Sequence, residues 1–381
     1  MSSSARSRLS LLCLGAIAFV ALGCTSTKMH NQHVSATALY ENSVNSQRAK
    51  LLYLTSSIGT FAVSLSSGKR VSVLPAQMLA YIAPRGDIGY SAGYTKWGYM
   101  FLDQQVFEFR TPPLSLNFNW TKTQVDKGCA QGLVYSPMGS NAYVLIAPCP
   151  GGPSQVMQVP TPRIDVISMK NNKLTKSFRS PVSSLVDSFI SPDGRVIWAN
   201  GVAMRTQSGA VEGRVKCPGW PNAKSEIGVS PTGAKLFVLC PSGWNGAVVA
   251  IFQTKGFAFD RELVIPTTFS AKIGYLINRG QDIALVGYNK SQGDLAMLII
   301  SATDGKLESS TIINPGEGQI TSCQESWGAE IAVITNNLPT DQFQHVGPVS
   351  ISVINGTSPT NPTIDRVPVT TKILVSECSL S

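Results

Sequence analysis

The chain has 381 residues, of which 43% are hydrophobic and 14% charged, and its formal net charge is +9. The low charge and high apolar content exclude a disordered protein, and the length suffices for a large core. The lysines and arginines are scattered singly, which favours a basic surface over a nucleic-acid site. Abundant Gly, Pro, Ser, Thr and Val, with few helix formers, predict an all-β chain.

The first residues have the features of an export signal. Arg6 and Arg8 precede an apolar run of about 14 residues, Leu9–Leu22, which is too short for an ordinary membrane span and typical of a signal peptide. The run ends at Gly23-Cys24, which resembles a bacterial lipobox. The resemblance implies a signal peptide over residues 1–23, a diacylglycerol on Cys24 and a location in the cell envelope. Ordinary cleavage nearby, with Cys24 unmodified, is the alternative.

Residues 24–46 are polar and include two of the three histidines. This composition predicts a flexible tether between the lipid and a folded domain over residues 47–381. His30 and His33 are better explained as a solvated pair in this linker than as metal ligands.

The folded part repeats one turn. Pro presets the first φ of the turn and Gly accepts the next conformation, so the flanking apolar runs fold back as antiparallel strands. The turn recurs about every 40 to 55 residues, which is the period of propeller blades with loop insertions. The clear copies are Ser136–Gly139, Ser191–Gly194 and Ser230–Gly233, and degenerate copies are Pro84–Asp87, Asn278–Gln281 and Ser326–Gly328.

The two ends of the folded part complement each other. Leu51–Leu54 is typical of a strand that follows the turn, and Lys372–Ser376 is typical of a strand that precedes it. Joining them completes one repeat, as in closed propellers that assemble one blade from both termini. The repeat shared by the two ends and the six turns together predict a seven-bladed β-propeller closed by pairing of the N- and C-terminal strands. An open solenoid is the alternative, although it would normally carry capping segments.

The residue pattern of the repeat resembles that of the YVTN-type or YncE-like seven-bladed propellers. The likeness is close at Ser191–Asn200 and at Leu51–Leu74, and in organisation it covers residues 47–378. The resemblance implies a fold rather than an activity, because one propeller scaffold carries many functions.

An even number of cysteines in an exported domain predicts disulfides. We expect Cys129 to pair with Cys149 and Cys217 with Cys240, because the members of each pair flank one hairpin. Cys323 and Cys378 remain, and a bond between them would lock the two ends together if their Cα atoms lie close enough. The six cysteines of the folded domain lie at 129, 149, 217, 240, 323 and 378. A zinc site is disfavoured because no Cys-x-x-Cys spacing occurs.

The sequence offers few of the residues and motifs that catalysis requires. His345 is the only histidine in the folded part, and phosphate-loop, dinucleotide and nucleophile-elbow motifs are missing. We therefore expect no cofactor and no metal, and a binding or scaffold role rather than an enzyme. A lactonase-like hydrolase on the same fold, using carboxylates around the channel, is the enzymatic alternative. A scaffold in outer-membrane assembly is a third possibility.

Ligands of such propellers usually meet the loops between second and third strands, as the resemblance implies. In that position Trp97 and Trp244 occur in Gly-rich loops and could stack on a sugar or anchor a protein partner. Packing of each Trp on its own blade is an equally good explanation. We expect a monomer that meets the membrane through Cys24, binds a protein or a glycan, and does not bind nucleic acid.

Overall fold

The computed structural model describes most of the folded part of the chain. Within the described residues it contains twenty-seven strands and a single 3-10 turn, Asn278–Gly280, so the all-β prediction is confirmed. The leader, Cys24 and the tether lie outside these residues. The described ranges are 51–56, 59–65, 67–68, 70–74, 78–82, 88–94, 104–110, 129–137, 139–147, 161–185, 188–218, 225–242, 246–314, 319–324, 330–336, 349–367 and 375–380.

The described strands form seven antiparallel sheets, six with four strands and one with three. We number them I to VII in chain order. Sheet I contains β1 (Leu51–Ser56), β2 (Gly59–Ser64), β3 (Arg70–Leu74) and β27 (Val375–Leu380), and sheet II contains β4 (Met78–Ile82), β5 (Ile88–Tyr94) and β6 (Gln104–Arg110). Sheet III contains β7 (Cys129–Tyr135), β8 (Asn141–Ala147), β9 (Arg163–Ser168) and β10 (Lys173–Arg179).

The remaining sheets are also meanders, in which each strand pairs with the next along the chain. Sheet IV contains β11 (Phe189–Ile190), β12 (Val196–Ala199), β13 (Val202–Arg205) and β14 (Val211–Arg214), and sheet V contains β15 (Ser225–Val229), β16 (Lys235–Ser242), β17 (Gly246–Gln253) and β18 (Phe259–Val264). Sheet VI contains β19 (Phe269–Ile277), β20 (Asp282–Asn289), β21 (Leu295–Ser301) and β22 (Leu307–Asn314), and sheet VII contains β23 (Gln319–Gln324), β24 (Glu330–Asn336), β25 (Val349–Asn355) and β26 (Thr363–Val367).

Sheet I joins the two ends of the folded domain. The last strand, β27, pairs antiparallel with β1, so that Leu54 lies opposite Cys378 and Leu52 opposite Leu380. The sequence predicts this union but places the last strand at Lys372–Ser376. The described part of the strand runs from Val375 to Leu380, so the pairing with β1 extends beyond Ser376, while Lys372–Leu374 lie outside the described residues.

The core lies between the sheets. Buried clusters join sheet III to IV, IV to V, V to VI, VI to VII and VII to I. Sheet II touches both neighbours, because β4 lies against β1 and β27 while β6 lies against β7. A strand covered on both faces favours apolar residues at successive positions, which explains uninterrupted runs such as Ala142–Ala147. Each fully buried Leu or Ile contributes about 1.5–3 kcal/mol.

In sheets III to VI, the side chains of the fourth strand are more exposed than those of the inner strands. Strand β10 is exposed along nearly its whole length, whereas β8 in the same sheet is buried. The exposed large apolar residues of the described part all belong to β10, β14, β18 and β22. These strands form the outer edges of their sheets, where polar and short sequences limit unwanted pairing.

Two predicted strands differ from the observed ones. The apolar run Leu185–Ile190 predicts a strand, but only Phe189–Ile190 pairs with β12. Leu185 is instead buried in the cluster between sheets III and IV, so its burial comes from packing and not from a ladder. The predicted strand Glu262–Ile265 begins earlier, at Phe259, because the preceding turn closes at Gly256 with a left-handed φ of 80°.

Candidate functional site

Three Ser-Pro-x-Gly turns share one pattern of hydrogen bonds. The Ser191 N–H donates to Val196 O at 2.8 Å, the Gly194 N–H donates to Ser191 O at 2.8 Å, and the Val196 N–H donates to Ser191 Oγ at 2.9 Å. Ser136 and Ser230 make the same three bonds to the equivalent residues of their own turns. The serine hydroxyl thus satisfies a backbone donor inside the turn. The predicted repeat is confirmed at these three positions.

The connection between the third and fourth strands of a sheet donates a hydrogen bond to the Ser-Pro-x-Gly turn of the same sheet. In sheet IV the Thr206 N–H donates to Arg195 O at 2.9 Å, and in sheet V the Thr254 N–H donates to Ala234 O at 2.9 Å. In a meander the first and third connections emerge at the same end of the sheet. The Ser-Pro-x-Gly turns and the third connections therefore share one end, which we call the turn face.

Neighbouring turns touch at two junctions. Pro137 of the sheet III turn lies against Gly194 of the sheet IV turn. A Cβ atom added to Gly194 would stand 3.5 Å from Pro137 Cδ. A Cβ built on Gly280 would lie 2.6 Å from Pro231 Cδ, which joins the turns of sheets V and VI. Between sheets IV and V this contact between turns is missing, because no described atom lies within 4 Å of a Cβ atom added to Gly233.

A groove of about 480 Å³ occupies this open junction. Sheet IV lines it with its Ser-Pro-Asp-Gly turn, β12 and β14, and sheet V lines it with its Ser-Pro-Thr-Gly turn and its third connection. The volume lies within the range of about 300–1,000 Å³ that is usual for ligand pockets. The residues that line the groove are Ser191, Pro192, Asp193, Val196, Trp198, Glu212, Pro231, Thr232, Gly233, Thr254 and Lys255.

Trp198 borders the groove from within the core. Its side chain is 2% exposed and meets the ring of Phe257 at a centroid distance of 5.7 Å. The indole Nε1–H is buried and has no hydrogen-bond acceptor in the described part of the chain. A buried donor without a partner costs about 1–3 kcal/mol, so such a group calls for an explanation.

Two carboxylates stand at the groove, each beside an arginine. Asp193 Oδ1 accepts the Ser191 hydroxyl at 2.6 Å, and this bond holds the pKa of Asp193 below its ordinary value, assisted by the Arg195 N–H and its charge while burial opposes it. Arg195 Nε lies 3.8 Å from Asp193 Oδ2. Glu212 Oε1 accepts Arg205 Nε at 2.5 Å. Lys255 has no ion pair among the described residues, so once Arg195 and Arg205 are counted against the two carboxylates, the lysine is the unbalanced charge at the groove.

Tyr143 links sheets III and IV near the same face. Burial raises the pKa of Tyr143, and side-chain hydrogen bonds with Thr206 and Asn141 act in the opposite direction. The phenol therefore stays neutral at physiological pH. Its bond to Thr206 fixes the third connection of sheet IV beside the turn of Ser191.

The sequence-predicted ligand residues, Trp97 and Trp244, lie outside the part of the chain that the structure describes, as does His345. The strands on either side of Trp97 and Trp244 are the second and third strands of sheets II and V, as the sequence predicts. The ends of the strands that flank Trp97 and Trp244 lie opposite the turn face, which carries the groove.

One predicted disulfide is confirmed. Cys217 and Cys240 are bonded, with Cα atoms 5.5 Å apart, and both are buried between sheets IV and V. Cys323 is also disulfide-bonded, and its strand β23 lies beside β27, which carries Cys378. Cys149 and the side chain of Cys129 lie outside the described part, so their pairing stays a prediction.

Neither a metal site nor a membrane-spanning helix is present among the described residues. No group of three or more His, Cys, Asp or Glu in that part is placed to hold a metal ion. No described helix has the length and apolar character needed to cross a membrane.

Comparisons with solved structures identify the fold. Prolyl oligopeptidase B from Galerina marginata, bound to a 25mer macrocyclization substrate, aligns at a TM-score of 0.55 with 10% identity, over 89% of this chain and 53% of that chain. The same enzyme with a 35mer hydrolysis and macrocyclization substrate gives 0.53 with 9% identity, over 89% and 53%. This chain thus spans about half the length of that protein. The shared part is a β-propeller, so the chain is a β-propeller module.

Two further structures align more loosely. TolB from Acinetobacter baumannii has a TM-score of 0.43 and 13% identity, over 71% of this chain and 65% of that chain. Hydrazine synthase from Kuenenia stuttgartiensis has 0.46 and 16%, over 67% and 70%. No protein-family model matches the chain. No curated protein sequence matches it either.

Sequence reasoning missed the groove residues. Asp193 belongs to the predicted Ser191–Gly194 turn, and its bond to Ser191 fits that position, but Trp198, Glu212 and Lys255 carry no signal in the sequence. The repeated turns do show that one face carries them all. The gap at a single junction depends on packing between two sheets, which no local pattern encodes.

Proposed function

We propose that this chain is an exported, lipid-anchored, seven-bladed β-propeller of the YVTN or YncE-like type that acts as a binding or scaffold module. The observation that carries the binding role is the groove between the turns of sheets IV and V. It interrupts a contact that the neighbouring junctions keep, and a gap of this size is suited to a ligand.

A closed ring of seven blades is supported by the order of contacts. Each sheet packs on the next in the chain, and sheet VII shares a buried cluster with sheet I. The pairing of β27 with β1 removes the free edges that an open array would leave at its ends. A bond between Cys323 and Cys378 would add a covalent lock at this seam.

An extracytoplasmic location is supported by the disulfide and by the leader. Disulfides such as Cys217–Cys240 persist in oxidising compartments, and the run before Cys24 has the length of a signal peptide. Acyl chains on Cys24 would hold the protein at the envelope, since each buried methylene adds about 0.8 kcal/mol. The polar residues 24–46 would then let the propeller reach partners away from the lipid surface.

The test is made on the full-length protein in its own membrane. The N-terminal peptide is analysed by mass spectrometry, and cross-linked partners are purified from wild type and from a Cys24→Ser variant. We expect a diacylated Cys24 in the membrane fraction, loss of that fraction in the variant, and specific co-purifying envelope proteins or glycans. An unmodified protein without partners would overturn both anchor and scaffold, and lactone hydrolysis would then be assayed.

A further inference from the structure

We propose that the groove between the Ser191–Gly194 and Ser230–Gly233 turns, hereafter the IV–V groove, binds an extended acidic peptide segment of a partner protein. This inference rests on the proposed binding role and names the partner class and the site. Nothing in the sequence pattern points to this site.

Among the three junctions whose turns the structure describes, the IV–V junction alone lacks a contact between the turns. At the junctions on either side a proline ring fills the space beside the next glycine, at 3.5 Å from a Cβ on Gly194 and at 2.6 Å from one on Gly280. Gly233 has no such neighbour among the described residues, although its φ of 73° matches the other two turns. Of the three glycines Gly194, Gly233 and Gly280, Gly233 alone faces open space among the described residues.

The walls of the groove suit a polypeptide. Pro192 and Pro231 present apolar rings on opposite sides, and Val196 adds an aliphatic surface between them. Trp198 contributes an N–H without an acceptor, which a peptide carbonyl or carboxylate can satisfy. Because Nε1 is covered by protein atoms, the proposal requires the two turns to separate when the peptide binds, and the space beside Gly233 leaves room for this.

A sugar or a base is a poorer fit. Both kinds of ligand bind by stacking on an exposed aromatic face. Trp198 is 2% exposed and its ring packs against Phe257, so no face is available for stacking.

The charges at the groove select an acidic segment. Asp193 and Glu212 are each matched by an arginine, at 3.8 Å and 2.5 Å. Lys255 is exposed and has no ion pair among the described residues, and the whole chain carries a net charge of +9. A ligand carboxylate beside Lys255 would balance the site, and the overall field would speed its arrival.

Lys170 provides a matched control for Lys255. The Met169 N–H donates to Ser140 O in sheet III, as the Thr254 N–H donates to Ala234 O in sheet V. The residues that follow, Lys170 and Lys255, therefore occupy the same position of the same connection. Both are exposed, but only Lys255 lines the groove.

The experiment measures binding of the purified full-length protein to immobilised random octapeptides of acidic, neutral and basic composition, and to a glycan array. Three variants are compared with wild type: Lys255→Glu, Lys170→Glu and Thr232→Trp, the last filling the groove. We expect selective binding of acidic peptides, about tenfold weaker in Lys255→Glu and unchanged in Lys170→Glu. The Trp198 indole N–H resonance, assigned with Trp198→Phe, should shift with bound acidic peptide.

The outcomes separate this inference from the proposed function. Peptide binding that is not acidic, or that survives Lys255→Glu, overturns the groove assignment while leaving a binding module. Binding to glycans alone has the same consequence. Absence of all binding, together with no partner in the membrane experiment, overturns both. Should Thr232→Trp fail to fold, Lys255→Glu and the indole resonance still decide the matter.

Discussion

Pro231 of the sheet V turn lies against Gly280 of the sheet VI turn, so closely that a Cβ on Gly280 would stand 2.6 Å from Pro231 Cδ. The contact places a ring of one repeat on the backbone of the next. A residue with a side chain cannot occupy this position without moving one of the turns. Gly280 also has a φ of 77°, which L residues rarely adopt.

Gly280→Ala should therefore destabilise the domain more than Gly233→Ala. Both glycines have left-handed φ angles, 77° and 73°, so both variants pay about 1–2 kcal/mol of backbone strain. Only Gly280→Ala adds a steric clash, which should cost about 1–3 kcal/mol more. Urea unfolding at a common pH measures the difference. Equal midpoints for the two variants would show that the turns do not pack as described.

Loss of the Ser191 hydroxyl should change the titration of Asp193. Ser191→Ala removes the hydrogen bond that lowers the pKa of Asp193, so that pKa should rise toward its ordinary value of 3.8. The variant also leaves the Val196 N–H without its acceptor, at a cost of about 1–2 kcal/mol. Carbon-13 NMR of the Asp193 carboxyl measures the shift, with Ser301→Ala as a control at a different turn.

The same bond has a defined pH dependence. A carboxyl whose pKa is lower in the folded than in the unfolded state stabilises the fold above the unfolded pKa, and this contribution is lost as pH falls through the folded pKa. The stability gap between wild type and Ser191→Ala should accordingly narrow once the pH falls below 3.8. A gap that widened on acidification would contradict the assignment.

Removal of the Cys217–Cys240 disulfide should cost about 3 kcal/mol, because the bond closes a loop with a sequence separation of 23. Both residues are buried between sheets IV and V, so Cys217→Ala with Cys240→Ala also loses some packing. Denaturant unfolding of the double variant against wild type gives the difference. In reductant, which also opens the bond at Cys323 in both proteins, wild type should approach the double variant, and a wild type insensitive to reductant would argue against a stabilising bond.

Trp198→Phe should be far better tolerated than Trp198→Ala. The indole N–H has no acceptor among the described residues, so replacing it by a ring without a donor loses volume but removes an unsatisfied group. We expect a cost below about 1.5 kcal/mol for Phe and about 3–5 kcal/mol for Ala. Thermal unfolding of both variants measures this. A large cost for Phe would mean that the N–H has a partner.

Deletion of residues 375–381 should destabilise sheet I and promote association. The deletion removes β27 and leaves the ladder side of β1 unpaired. An exposed edge of this kind recruits other strands, so the truncated domain should unfold at lower urea and aggregate with time. Light scattering and urea unfolding report the two effects. A truncated domain as stable and monomeric as wild type would contradict the role of β27.

The sequence by itself determined the repeated unit. Ser-Pro-x-Gly turns encode their own geometry, because Pro, Gly and the serine hydroxyl act within a few residues. The apolar run after such a turn forms the next strand, as Val196–Ala199 does after Gly194. The union of the chain ends was also predictable, since each end carries a part of the repeat that the other lacks.

Only the tertiary structure decided how neighbouring repeats meet. The register of β27, the burial of Leu185 outside any strand and the gap beside Gly233 all depend on contacts between sheets. The same holds for the groove, which brings Glu212 of sheet IV and Lys255 of sheet V to one site. Local sequence specifies a turn through bonds within that turn, whereas the space between two turns is set by the packing of whole sheets.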